Sequence, residues 1–186
     1  PACSCALLLS TTNKICLDVA SVPFLWVLPL AVFLLSWILA FDHPRWYPHR
    51  WSGALVLATW ALVGWVSLSE SELPLAVELG AHITGLFVGC MVCQGEVYRL
   101  KPDAHGLTKF YLMTGLGGVL GGALITLVAP RLFTTYVEFD LSLTAVGLLF
   151  VITCYRERDR VSQARRFAMA AVVIGLLLGQ MSWTHL

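Results

Sequence analysis

The fourth apolar stretch of the chain, residues 73–98, carries two ionisable side chains one helical turn apart. Glu78 and His82 are separated by four residues, so in a helix they share one face. At a rise of 1.5 Å per residue, His82 lies roughly 13 Å below the nearer end of this stretch. Ionisable groups at such depth in a bilayer are costly and line a cavity or pair with each other. The pattern predicts either a proton- or cation-coupled site or a Glu–His hydrogen bond that fixes helix packing.

Further acids extend this hypothesis along the chain. Lys14 and Asp18 are four residues apart in the polar tract 11–18 and are placed to pair on a short helical turn. Pro23 and Pro29 follow, and broken helices beside polar residues are typical of transporter sites, although a kinked helix with a capping loop is the alternative. The candidate residues for an intramembrane polar path are Asp18, Glu78, His82 and Glu96.

The cysteines and the remaining histidines favour structural roles. Cys90 and Cys93 form a C-x-x-C pattern inside an apolar segment, where desolvation disfavours the reactive thiolate, so we interpret them as packing residues. A metal or haem site needs ligands besides His82, and the other histidines fall in loops or at the end of the chain. We therefore predict no metal, no cofactor and no catalytic residue, and an enzymatic activity of this segment is not expected.

A glycine-rich run occupies the fifth apolar stretch. It does not match the dinucleotide fingerprint, because Leu120 stands where a glycine is required and no strand precedes it. The spacing instead gives two pairs of small residues four apart, which allow another helix to approach closely; a flexible point in a moving helix is the alternative. The predicted packing residues are Gly115, Gly117, Gly118, Gly121 and Gly122.

The composition requires lipid as the main solvent of these elements. The chain of 186 residues is 58% hydrophobic and 12% charged, against about 25% charged residues in a soluble domain, and its mean hydropathy is +0.79. Apolar runs near the roughly 20 residues needed to cross a bilayer follow one another between short polar breaks. We predict an all-α bundle of about seven transmembrane helices in one domain, over residues 2–12, 22–41, 52–69, 73–98, 107–129, 136–155 and 167–184.

Basic residues gather in alternate loops, which predicts the orientation. The only basic residues in the loops on the other side are Lys14 and Arg131. We therefore expect a cytoplasmic start and an external end in a multi-pass protein of the bacterial inner membrane. The cytoplasmic topology determinants are Arg45, Arg50, Arg99, Lys101, Arg156, Arg158, Arg160, Arg165 and Arg166.

Several stretches resemble the membrane region of bacterial spermidine-synthase-like proteins, which are fusions of a major-facilitator-type membrane domain with a spermidine synthase domain. They are Thr-Thr-Asn at 11–13, Leu-Asp-Val-Ala at 17–20, and the segments 22–30, 41–47, 95–102 and 107–112. The resemblance implies half of a major-facilitator-type bundle plus one helix, in a segment of a longer protein. It carries over no catalytic residue, because no synthase domain is present in these residues.

Three functions follow from these observations. The first is a transporter-like membrane domain. The second is a non-catalytic subunit or scaffold of a larger membrane complex, including a pigment or electron-transfer complex. The third is the membrane anchor of an aminopropyltransferase-like domain. The expected partners are the lipid bilayer and further transmembrane helices, and no basic tract interleaved with aromatic residues indicates nucleic acid.

Overall fold

A computed structural model describes residues 1–18, 25–43, 49–68, 74–128, 131 and 138–156, and within these ranges it contains helices and no strand. The helices are α1 (Ala2–Asp18), α2 (Val27–Asp42), α3 (His49–Leu68), α4 (Leu75–Arg99), α5 (Leu107–Ala123) and α6 (Glu138–Arg156). A 3₁₀ turn, Ala104–Gly106, leads into α5, and a π-helical turn, Leu124–Val128, extends it. The all-helical prediction is confirmed for these residues.

The predicted count of seven membrane-crossing helices is not confirmed. Among the described residues, two segments are long and apolar enough to cross a bilayer: Ala76–Arg99 in α4, and Leu107–Val128, which joins α5 to its π-helical turn. The apolar helices Val27–Asp42 and Leu141–Phe150 are shorter. The predicted seventh segment, 167–184, lies outside the described residues. The same criterion of length and composition is also met by core helices of soluble proteins.

Helix α1 is longer than the sequence suggests, since it continues through the polar tract to Asp18. No glycine or proline interrupts Ala2–Asp18. The hydroxyl groups of the tract also donate to carbonyl groups of the preceding turn: Thr11 Oγ1 to Leu7 O at 2.6 Å, and Thr12 Oγ1 to Leu8 O at 2.8 Å. The tract is polar in composition and helical in backbone, because these side chains are satisfied by their own helix.

Helix α2 begins at Val27 after a turn at Leu25 and Trp26, five residues later than predicted. Pro29 is therefore its third residue. In the first helical turn the missing N–H of proline has no intrahelical partner to lose, so Pro29 starts the helix and does not interrupt it. Pro23 lies outside the described residues.

Helices α1 and α4 form the centre of the described bundle. α4 contacts α1, α2, α3 and α6, and α1 also contacts α5 and α6. Trp60 of α3 packs on Gly147 of α6, where any Cβ would overlap the indole ring. The core cluster consists of Leu7, Val56, Trp60, Val63, Leu86, Cys90, Val92, Cys93, Leu143, Val146 and Phe150.

The bundle buries several polar side chains beside its apolar core and exposes many large apolar ones. Ser4, Thr11, Ser36 and Gln94 are buried completely. Large apolar side chains are exposed along whole helices, and Val119 of α5 is 69% exposed. The exposed set includes Leu34, Leu35 and Ile38 of α2, Leu112, Leu116 and Leu120 of α5, Leu124 and Leu127 of the π-helical turn, and Leu148, Leu149 and Ile152 of α6.

Candidate functional site

The predicted polar face of α4 packs against α1. The Sγ atom of Cys90 lies 3.9 Å from the carbonyl oxygen of Ser4, and a Cβ on Gly89 would lie 2.5 Å from Cδ2 of Leu7. Residue numbers rise along α1 while their neighbours' numbers fall along α4, so the two helices run antiparallel. We call this contact the α1–α4 seam.

His82 precedes Gly89 by seven residues, which places it on the face of α4 that forms the seam, and it is only 4% exposed. Its Nδ1 atom is 2.7 Å from the backbone carbonyl oxygen of Glu78. Because a carbonyl oxygen only accepts, Nδ1 carries the proton, and in the neutral ring Nε2 is then the basic nitrogen. The interaction between these residues therefore runs through the backbone of Glu78, whereas the packing hypothesis placed it between the two side chains.

The register of the seam brings the end of α1 to the level of Glu78. Asp18 follows Leu7 by eleven residues, and Glu78 precedes Gly89 by eleven. Since the helices are antiparallel and Leu7 contacts Gly89, the backbone of Asp18 lies level with that of Glu78. Three of the four predicted path residues, Asp18, Glu78 and His82, therefore belong to one end of the seam.

Glu96 is not part of this end. It follows His82 by fourteen residues in the same helix, which corresponds to about 21 Å along the axis. Its carboxylate accepts from Nη1 of Arg99, with Oε1 at 3.2 Å and Oε2 at 3.4 Å. The structure therefore places Glu96 in an ion pair at the opposite end of α4.

Helix α1 also buries hydroxyl groups that the sequence analysis did not select. Ser4, Ser10 and Thr11 are buried, and each donates to a carbonyl of its own helix: Ser4 Oγ to Pro1 O at 2.9 Å, and Ser10 Oγ to Leu7 O at 3.1 Å. Such hydroxyls keep their lone pairs as acceptors. Their spacing along α1, close to a helical repeat, is the signal that would have identified them.

Gln94 of α4 was also missed. Its side chain is 0% exposed, and neither its Nε2 nor its Oε1 atom has a hydrogen-bond partner. Cys90, one turn earlier, contacts α1 and lies close to Ser36 of α2. The sequence shows that Gln94 directly follows the apolar run 86–93. It does not show that the amide lacks hydrogen-bond partners.

The cysteines that the structure describes, Cys3, Cys5, Cys16, Cys90 and Cys93, are free thiols. Cys90 and Cys93 are buried in the core. Across the part of the chain that the structure describes, no group of three or more His, Cys, Asp or Glu side chains is placed to hold a metal ion.

The glycine run of α5 lies mainly against α1. A Cβ on Gly121 would overlap the backbone carbonyl of Ala2, and one on Gly117 would lie 2.8 Å from Cγ of Pro1. Gly118 and Gly122 face Cys5 and Leu9 at 3.3 and 3.7 Å, and Gly115 faces open space. The close approach is therefore between α5 and α1 of the same chain, and it is tightest at Gly121.

Of the predicted topology determinants, Arg99 and Lys101 are described and lie at the end of α4. Arg50 is the second residue of α3, and Arg156 is the last residue of α6. Arg45, Arg158, Arg160, Arg165 and Arg166 lie outside the described residues.

The chain was compared with protein-family models, with curated proteins and with solved structures, and no match was found in any of the three. The resemblance to spermidine-synthase-like membrane regions therefore remains an expectation from the sequence.

Proposed function

We propose that this chain is an integral membrane helical domain with a transporter-like polar path along the α1–α4 seam. The observation that carries the proposal is the extent of exposed apolar surface, with leucines exposed along α2 and α5 while Gln94 and Thr11 are buried. In water, apolar surface of this extent drives association. In lipid the same surface is solvated by hydrocarbon, and polar groups gather in the interior.

The exposure of helix α5 favours a membrane domain over a soluble protein with an apolar helical core. Only 11% of the apolar 18-residue stretch in Leu107–Val128 is buried inside the bundle, compared with 44% of the corresponding stretch in α4. A core helix of a soluble protein owes its apolarity to burial, whereas α5 is apolar on faces that contact nothing within the described bundle. Its position in the middle of the chain also rules out a signal sequence.

The relative directions of the helices support a chain that crosses a bilayer in alternating directions. α1 runs antiparallel to α4. α2 runs parallel to α4, because Phe41 packs on Tyr98 with ring centroids 5.4 Å apart and Ser36 lies close to Cys90. In this arrangement Arg99, Lys101 and Lys109 share one membrane face, for which we infer the cytoplasmic side.

The polar end of the seam supplies the chemistry of the proposed path. His82 is buried with Nδ1 bonded to a carbonyl oxygen, which presents Nε2 as the proton acceptor. Glu78 is the next ionisable residue toward the end of the helix, and Asp18 lies level with it. A proton or small cation entering at this end meets the Glu78 carboxylate first and the imidazole about one turn deeper.

Proton flux into vesicles tests the proposal. The purified chain is reconstituted into liposomes that contain a pH-sensitive dye, and a potassium diffusion potential drives proton entry. We expect entry faster than in protein-free vesicles, and a fall to that background in Glu78→Gln and in His82→Ala, because both remove a proton-accepting group from the path.

Glu96→Gln is the matched control. It removes the same charge from the same helix, but about 21 Å from His82, and we expect unchanged flux. Equal flux in all three variants and the unaltered chain would refute the path. Recovery of the chain in water without detergent would refute the membrane placement itself.

A scaffold subunit is the second candidate, and the bare outer face of α5 favours it. A Cβ atom added to Gly115 would have no neighbour within 4 Å, and the apolar side chains beside it are exposed. Another transmembrane helix fits against such a face. Under this alternative the substitutions of Glu78 and His82 leave function intact, so the flux experiment separates the two. The membrane-anchor function remains an expectation from the resemblance.

A further inference from the structure

The connection between α4 and α5, residues 99–109, concentrates basic side chains at one end of the two longest apolar helices; we call it the α4–α5 turn. Lys101, His105 and Lys109 are exposed, and Arg99 is 37% exposed. The acidic residues of this region are Glu96 and Asp103. Because Glu96 is engaged by Arg99 at 3.2 Å, Asp103 is the acid of this turn that remains to oppose the two lysines.

Aromatic packing fixes one of these lysines. The Nζ atom of Lys101 lies 5.8 Å from the centroid of the Tyr98 ring. Tyr98 packs edge-on against Phe41, and Phe41 stacks on Trp37 with centroids 5.0 Å apart. The ammonium group is therefore held at the end of an aromatic column that ties α2 to α4, which is an arrangement typical of the membrane interface.

Exposed apolar side chains flank the same turn. Leu100 is 73% exposed, and Tyr111 and Leu112 of the first turns of α5 are also exposed. A phospholipid presents a phosphate to the lysines and acyl chains to these apolar residues. A soluble anion uses only the first of these contacts, so the combination favours a lipid with a negative headgroup.

We propose that the α4–α5 turn binds anionic phospholipid headgroups through Lys101 and Lys109. The inference rests on the proposed membrane placement and is independent of the polar path. Each lysine near an anionic bilayer contributes roughly a fivefold increase in binding. Replacement of both is therefore expected to weaken the preference for anionic lipid by about 10- to 30-fold.

Retention of lipid by the purified chain measures this preference. Nanodiscs containing phosphatidylcholine and phosphatidylglycerol are loaded with the protein, which is then released into the gas phase, and the bound lipids are counted by native mass spectrometry. We expect selective retention of phosphatidylglycerol in the unaltered chain and its loss in the double variant Lys101→Gln/Lys109→Gln. The charge-preserving variant Lys101→Arg/Lys109→Arg should keep it.

Arg131→Gln is the matched control, because Arg131 is an exposed basic residue beyond the other end of α5. It should retain phosphatidylglycerol as the unaltered chain does. Three outcomes overturn the proposal: no preference over phosphatidylcholine, equal loss in the control, or displacement of the lipid by glycerol phosphate at matched concentration. The last outcome would assign the turn to soluble anions. None of these results bears on the proposed polar path, because proton flux through the seam is measured in a separate experiment.

Discussion

Among the side chains that the structure describes, the buried amide of Gln94 is poorly satisfied by its surroundings. Its donor and acceptor atoms are both without partners in a completely buried position. Leaving a buried polar group unsatisfied costs about 1–3 kcal/mol, so this position weakens the packing of α4 against its neighbours. Trp60 has the same property at its Nε1 atom, although its ring is otherwise enclosed by the core.

Replacement of Gln94 by leucine should therefore stabilise the bundle. The two side chains are similar in volume, and the substitution removes the unsatisfied amide, so we expect the free energy of unfolding in detergent to rise by about 1–3 kcal/mol. Thermal unfolding followed by circular dichroism measures this change. Gln94→Glu, which adds a charge at the same place, should lower the unfolding temperature. A decrease for both variants would mean that the amide is bonded in the folded protein.

The sequence grouped some residues of the predicted path correctly and others incorrectly. Glu78 and His82 were paired by their spacing alone, since four residues make one helical turn. Glu96 was grouped with them because it is an acid in the same apolar segment. Arg99 follows it by three residues, a spacing at which the two side chains pair on a helix, and that spacing was the signal that separates Glu96 from the other two.

At the scale of the elements, the contact between α1 and α5 has the least room for change. The backbone carbonyl of Ala2 occupies the space that a side chain at Gly121 would take. Backbone atoms do not rotate away as a side chain does, so any substitution there must move one of the two helices. At Gly115 the same substitution meets no atom.

The pair Gly121→Ala and Gly115→Ala isolates this contact, because both substitutions raise helix propensity equally, by up to about 1 kcal/mol. We expect Gly115→Ala to be neutral or stabilising. Gly121→Ala should destabilise by about 1–3 kcal/mol through overpacking. Unfolding temperatures in the same detergent provide the comparison. If both variants gain stability, α1 and α5 do not approach at Gly121.

The boundaries of the elements show where local patterns were misleading. The polar tract 11–18 resembled a connecting loop, yet it is the second half of α1, because its hydroxyl groups bond within their own helix. The start of α2 was predicted too early, because apolar composition continues from Val22 whereas the helix begins at Val27. Hydropathy marks which residues avoid water, and helix ends depend on backbone hydrogen bonding.

At the scale of the whole molecule, the proposed topology places the two ends of α5 on opposite sides of the membrane. Asp103 precedes α5 and Arg131 follows its π-helical turn, and both are exposed. The segment between them, Leu107–Val128, has 22 residues and is about 33 Å long, enough to span the hydrocarbon core.

Labelling in intact cells tests this placement. Asp103→Cys and Arg131→Cys are introduced singly into a chain whose six cysteines are replaced by alanine, and a membrane-impermeant maleimide is added outside. We expect labelling of the cysteine at position 131 only, and labelling at position 103 only after the membrane is permeabilised. The cysteine-free chain is the control. Equal labelling of both positions in intact cells would contradict a crossing by α5.

Composition and the length of apolar runs are local properties, and they were enough to predict the helices that the structure confirms for the described residues. They also predicted membrane-crossing segments, and two described segments are long and apolar enough for that. The tertiary structure decided which helix lies beside which. It placed α1 in the centre, turned its hydroxyls inward and set Asp18 level with Glu78. Contacts of this kind depend on side-chain shape at positions far apart in the chain, such as Ala2 and Gly121, and no local pattern encodes them.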